Sequence, residues 1–268
     1  MMRADVHMHS NFSHDSEFTP EQMILGAIEK KLEVICFTDH FDKDNVAWGD
    51  EDVFEPEEYF RVLPPLREKY KDRITVRIGV EIGLQPHLNE EYRAFTKAYP
   101  FDFVIGSVHS AGGYDIAHGE LFEGRSDEEV YRLILEEVLE DVRVTEDFDV
   151  LGHLDYMTRY GREKEKAYSY QKFAGIIDEI LKTLMEKGKG IELNMAGIKY
   201  GLPFAHPHPD VLKRYRELGG EIITVGSDGH RPEHLAYEFQ KATELLTACG
   251  FKYYTEFSGR RPVFKQLI

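Results

Sequence analysis

Cysteine is nearly absent: Cys36 and Cys249 are the only two in 268 residues. A disulfide framework or a cysteine zinc site needs more thiols than that, so both read as reduced packing residues. Basic residues are also short, with 33 Lys and Arg against 49 Asp and Glu, a formal net charge of −16. That balance disfavours non-specific attraction to long nucleic acid or an anionic membrane surface. Divalent cations bound by several carboxylates would alter the count, so the acidity also suits a metal site. No apolar run approaches the about 18 residues of a membrane span, and the chain enters Asp5-Val6-His7 without a signal-peptide core. A soluble, cytoplasmic protein is expected. No Pro-, Gly- or Ser-rich break divides the chain, and 42% hydrophobic with 12% aromatic residues supply a sizeable core. One domain spanning 1–268 is expected.

Short β-like apolar runs alternate with longer amphipathic segments, the pattern of βα repetition around a parallel sheet. Strands are expected at 4–7, 33–38, 74–82, 101–108, 150–153, 190–194 and 221–226, with an eighth candidate at 253–257. Seven or eight such units suggest a barrel. Thr19-Pro20-Glu21-Gln22 reads as an N-cap, a first-turn proline and a capping-box glutamine, opening a helix to residue 31, and Ser126-Asp127-Glu128-Glu129 opens another. Further helices are expected at 169–187, 209–218 and 232–249. A helix at 55–70 should kink or end at Pro64-Pro65.

Histidines and acids fall at the carboxyl ends of these strands. His7 and His9 follow the first, Asp39 and His40 the second, and Glu81 ends the third. His109 and His153 end the fourth and fifth, and Asp228 and His230 follow the seventh. In a (β/α) barrel those ends converge on the face that carries the active site. A lone strand-end histidine is more often structural than functional; eight or so together are not. In an extended Asp5-x-His7-x-His9 run alternate side chains share a face, so His7 and His9 can bind one cation while Asp5 orients an imidazole from behind. Imidazole and carboxylate donors without thiolate suit Zn, Mn or Fe, and the ligands are too many for one ion. Two or three ions with open positions for water form the layout of a hydrolase that generates hydroxide near neutral pH.

Asp5-Val-His7-Met-His9, Thr38-Asp39-His40, Gly79-Val-Glu81, Gly106-Ser-Val-His109, Gly152-His153-Leu-Asp155 and Gly226-Ser-Asp228-Gly-His230 together resemble the polymerase and histidinol phosphatase (PHP) family over nearly the whole chain. Chain length and the runs Gly106-Ser-Val-His-Ser-Ala-Gly-Gly113, Gly152-His-Leu-Asp-Tyr156 and Asn194-Met-Ala-Gly-Ile-Lys199 resemble its histidinol-phosphate phosphatase branch. The resemblance implies a distorted, TIM-like (β/α)7 barrel with a trinuclear metal centre. His7, His9, Glu81 and Asp228 would hold one ion, and Glu81 would bridge to a second held by His109 and His153. A third would take His40, His230 and either Asp15, favoured by its spacing from His9, or His14. Asp39 would support His40 without ligating.

A phosphate monoester must also be gripped, by Arg or Lys. Arg159 follows the His153 motif by six residues and Lys199 lies in the loop after the sixth strand. Both are candidates, although similar phosphatases tend to carry arginine at the second position and lysine loses the bidentate fork. The implied reaction converts L-histidinol phosphate to L-histidinol and phosphate by hydroxide attack, with Asp228 or His230 protonating the leaving alkoxide. Ser10, Ser107, Ser110 and Ser227 need not act as nucleophiles; Tyr114, Tyr156 and Tyr160 are candidates to pack on the substrate imidazole. His87, His118, His206, His208 and His234 read as surface or loop histidines. The alternatives are another phosphoesterase of the superfamily, acting on nucleotides, short oligonucleotides or phosphotyrosine, and a non-catalytic metal-binding barrel.

Overall fold

The computed structural model describes residues 2–47 and 52–267. Its first half comprises β1 (Ala4–Met8), α1 (Pro20–Glu29), β2 (Val34–Phe37), β3 (His40–Phe41), α2 (Pro56–Tyr70), β4 (Thr75–Gly83), α3 (Asn89–Ala98), β5 (Phe103–Ser107), β6 (Ser110–Ala111) and β7 (Tyr114–Asp115). The second comprises α4 (Asp127–Val144), β8 (Val150–Leu151), α5 (Tyr170–Glu186), β9 (Gly190–Asn194), α6 (Ala196–Lys199), α7 (Pro209–Glu217), β10 (Ile223–Gly226), α8 (Phe239–Ala248), β11 (Tyr253–Ser258) and β12 (Arg261–Gln266).

Seven parallel strands run in the order β1-β2-β4-β5-β8-β9-β10, with β3 added against β4. The amide of Asp228 donates to the His7 carbonyl at 2.9 Å and that of His9 to the Gly229 carbonyl at 3.0 Å, tying first and last strands together at their carboxyl ends. The result is a nearly closed, distorted barrel with helices outside it, as the βα alternation implies. The strands are almost wholly buried on both faces, which is why they read as apolar runs rather than alternating ones. Val6, Cys36, Phe103, Ile105 and Val150, from four of the strands, form a small apolar cluster closed by Phe257 of β11, whose ring stacks on Phe103 at 4.9 Å.

Both expected capping boxes are present. Thr19 accepts the Gln22 amide while Gln22 accepts that of Thr19, and Ser126 and Glu129 do the same. Two expectations fail locally, and a third is narrowed. Pro64 and Pro65 lie inside α2 without ending it, because buried Tyr59, Leu63 and Tyr70 anchor the helix on both sides. The segment 232–249 is not one helix: Ala236 and Glu238 take positive φ (51° and 55°), and the Ala236 amide is captured by Asp5 at 2.7 Å. Residues 253–257 add no barrel strand; β11 pairs antiparallel with β12 in a separate hairpin. Among the described residues no helix is long and apolar enough to cross a membrane.

Candidate metal centre

The carboxyl ends of the barrel strands bring the expected ligands together. His7 Nε2 lies 3.1 Å from His9 Nε2 and 3.2 Å from Glu81 Oε2, and Asp228 Oδ1 lies 3.4 Å from His9 Nε2. Across the same carboxylate, Glu81 Oε1 is 3.0 Å from His153 Nε2, which is 3.4 Å from His109 Nε2. Glu81 therefore stands between two ligand groups. A third forms beside His9: His40 and His230 supply ring nitrogens within reach of it, and Asp15 Oδ2 lies 2.8 Å from His230 Nε2 and 3.9 Å from His40 Nε2. His14 instead turns its Nδ1 to Asp52 Oδ1 at 2.5 Å. Both residues line the cavity, and it is Asp15 whose carboxylate meets the ring nitrogens of His40 and His230.

These donors fit cations better than they fit one another. Pairs of ring nitrogens at 3.1 and 3.4 Å can share at most one proton each, and His40 Nδ1 is buried without a hydrogen bond although Glu81 Oε2 is 3.2 Å away. The far ring nitrogens are held by other partners, leaving lone pairs to converge. His7 Nδ1 meets Glu192 Oε1 at 2.6 Å, His109 Nδ1 meets Asp42 Oδ2, His9 Nδ1 meets Ser13 Oγ at 3.0 Å and His230 Nδ1 meets the Asp228 carbonyl at 3.1 Å. Burial raises the carboxyl pKa of Glu81, but His7, His153 and His109 outweigh it and hold the group well below the usual range. At Asp228 burial is likewise outweighed, by the hydrogen bond to His9 and the charges of His7, His230 and Lys199. Burial pushes His9 well below the ordinary imidazole value, helped by His230 and His40, which keeps its lone pair available.

Two supporting roles differ from expectation. Asp5 touches no imidazole side chain: it accepts from Ser227 Oγ at 2.6 Å and the Ala236 amide at 2.7 Å. Between Asp5 and Met8 the register slips, three steps in β1 facing two in β2, so the alternation that would align Asp5 with His7 is broken. Asp39 accepts from Ser10 and Ser13, and acts through Ser13 on the His9 ring and the His40 amide rather than on the His40 ring. Glu192 and Asp42 do the orienting and were not anticipated. Their signals were an acid inside a buried strand and an acid two residues past His40; a buried carboxylate is unfavourable unless it is paired.

The cavity over the cluster is lined in part by Tyr156, Arg159, Tyr160 and Tyr200. Arg159 lies between Tyr156 and Tyr200, 4.9 and 4.8 Å from the ring centroids, and one terminal nitrogen is 3.4 Å from Asp228 Oδ2. Lys199 is placed differently. Its Nζ donates to the Asp228 carbonyl at 2.6 Å and lies 3.4 Å from that of Ser227, and the residue does not line the cavity. Ser10, Ser107 and Ser227 donate to Asp39, Glu81 and Asp5, a use that leaves them no nucleophilic part. Exposed His118 lines the cavity and exposed His87 pairs with Asp44, whereas His206, expected in a solvated loop, is wholly buried.

A PHP domain model matches residues 5–196, most of the chain. The chain belongs to the PHP domain family. Histidinol-phosphatase of Lactococcus lactis is 35% identical, over 97% of this chain and 96% of its own length. A probable histidinol-phosphatase of Clostridium acetobutylicum is 31% identical over 92% of this chain and 94% of its own. The crystal structure of the L. lactis histidinol phosphate phosphatase, complexed with zinc, L-histidinol and phosphate, superposes with a TM-score of 0.88 at 34% identity, covering 97% of this chain and 98% of that one. For this PHP domain, Asp228 and His230 fall beyond the matched segment, yet the barrel returns them to His7 and His9.

Proposed function

We propose that the chain is a metal-dependent phosphomonoesterase that hydrolyses histidinol phosphate to histidinol and phosphate. The observation that carries this reading is the continuous strand-end cluster, with Glu81 facing His7 on one oxygen and His153 on the other, beneath a cavity that Arg159 lines. The substrate follows from the L. lactis relative, similar over nearly the full length of both chains, whose structure holds zinc with both products.

Two or three divalent transition ions, Zn, Mn or Fe, would be held among three sets of donors: His7, His9, Glu81 and Asp228; Glu81, His109 and His153; and Asp15, His40 and His230. Bound there, such ions supply Lewis-acid polarisation of phosphoryl oxygens and a lowered pKa for water. Arg159 presents charged donors to the phosphoryl group and neutralises charge that builds in the transition state. Of the two groups considered as acids for the leaving alkoxide, Asp228 is held anionic by its neighbours, and His230 serves as proton donor only where it is not bound to an ion, since its Nδ1 meets the Asp228 carbonyl. Tyr156 and Tyr160 offer ring faces to an imidazole.

The test compares phosphate release from histidinol phosphate, p-nitrophenyl phosphate, a nucleoside bisphosphate and a phosphotyrosine peptide by the zinc-, manganese- or iron-loaded protein, with metal content measured alongside. Histidinol phosphate should give the highest kcat/KM. A nucleotide or phosphopeptide turned over more efficiently would reassign the substrate, and turnover that survives complete metal removal would remove the mechanism.

A further inference from the structure

His206 belongs to none of the ligand groups, yet it and Asp155 are fully buried. Its main chain is pinned to the end of β9: the Asn194 amide donates to the His206 carbonyl at 2.7 Å and the His206 amide to the Asn194 carbonyl at 2.8 Å. On one side of the ring, Nε2 accepts the Arg159 Nε–H at 3.0 Å. Arginine can only donate, so the imidazole proton resides on Nδ1, where Asp155 Oδ1 accepts it at 2.5 Å. Asp155 is fixed in turn, because its other oxygen accepts the His208 amide at 2.7 Å. Arg159 thus has Nε occupied and its guanidinium 4.9 and 4.8 Å from the Tyr156 and Tyr200 ring centroids, while one terminal nitrogen lies beside Asp228 and the residue lines the cavity.

We propose that Asp155 and His206 are positioning residues that aim the Arg159 guanidinium at the phosphoryl group. This rests on the reading of Arg159 as the phosphate grip. A free arginine side chain loses rotamer freedom on meeting its ligand, whereas one held at Nε meets it with a single pose already selected. The relay supplies this from rigid parts: a strand end, a buried carboxylate and a neutral imidazole in one tautomer.

The experiment measures binding of inorganic phosphate to the metal-loaded protein by calorimetry, with metal content and circular dichroism recorded for each variant. His206→Ala should weaken phosphate binding about tenfold at unchanged metal content, the scale of a misaligned charge-assisted contact. His206→Gln, which keeps one donor and one acceptor, should recover part of it. In the His206→Ala/Arg159→Ala double variant the loss should barely exceed that of Arg159→Ala alone, because both act through one guanidinium. Additive losses, or no effect of His206→Ala where Arg159→Ala weakens binding, overturn the positioning role. No effect of Arg159→Ala overturns the phosphate grip itself. Should His206→Ala not fold, Asp155→Asn, which preserves the buried volume, takes its place: phosphate binding unchanged there while Arg159→Ala weakens it overturns the positioning role.

Discussion

Glu192 supports two members of the cluster at once: its Oε1 lies 2.6 Å from His7 Nδ1, while Oε2 accepts the His153 amide at 3.1 Å. One carboxylate from β9 thereby orients ligands from β1 and from the loop after β8, and keeps His7 Nε2 turned to Glu81. Gly226 gives this pair its room, since a Cβ there would sit 2.2 Å from that of His7 and 2.6 Å from Glu192 Oε1.

Glu192→Gln should therefore preserve the fold and weaken metal binding by about 10- to 100-fold, the usual effect of losing a partner that orients a liganding imidazole. Competition with a chromophoric chelator measures it. Unchanged affinity would show that His7 needs no such support.

The strands and the clustering of acids and histidines at their ends were legible because the barrel turns sequence position into spatial position: an acid or histidine at the carboxyl end of an apolar run must face the same side as the others. Asp5 was misplaced because a register slip leaves no mark in the sequence. The break at Ala236 was hidden because its amide is taken by Asp5, 231 positions away, and helix propensity does not report such a partner. Glu192 was masked by its apolar strand, and His206 by the Pro and His residues around it, which look like solvated loop.

Glu81 shares its two oxygens between His7 and His153, with Ser107 Oγ donating to Oε1 at 2.5 Å. Glu81→Gln removes the charge common to two ligand groups, so the bound metal should fall by at least one ion per chain. Turnover should fall by more than the about 10- to 100-fold typical of losing an orienting partner. Elemental analysis beside kcat checks both; full metal content with near-normal turnover would separate Glu81 from the ions.

Far from the cavity, Asp141 is buried in α4, with Oδ1 making no hydrogen bond among the described residues. Burial, reinforced by Glu137 and Glu140, raises its pKa to about 8. The folded state thus retains a proton that the unfolded chain releases near pH 4. Stability from this group is fully present below that pH and declines as the pH rises towards 8. Asp141→Asn should raise the Tm progressively more between pH 5 and about 8. Thermal melts across that range test this, and a pH-independent difference would count against it.

Arg159 and Lys199 were expected to share the phosphate, but Arg159 lines the cavity and Lys199 does not. Lys199 Nζ sits 2.6 Å from the carbonyl of Asp228, the same oxygen that meets His230 Nδ1 at 3.1 Å, and Asp228 takes a φ of 52°. A non-glycine residue in that region needs its surroundings to hold it there. Lys199→Met should let the Asp228–His230 turn relax, lowering kcat while leaving inhibition by inorganic phosphate nearly unchanged. Arg159→Ala removes a charge-assisted contact of about 1.5–3 kcal/mol, a roughly ten- to hundredfold loss in kcat/KM with weaker phosphate inhibition. Arg159→Lys should recover only part, because the planar fork is gone. Steady-state kinetics with phosphate as product inhibitor separate the two. If Lys199→Met raises the phosphate inhibition constant as far as Arg159→Ala does, Lys199 grips the phosphate after all, and its contact with the Asp228 carbonyl gives way when substrate arrives.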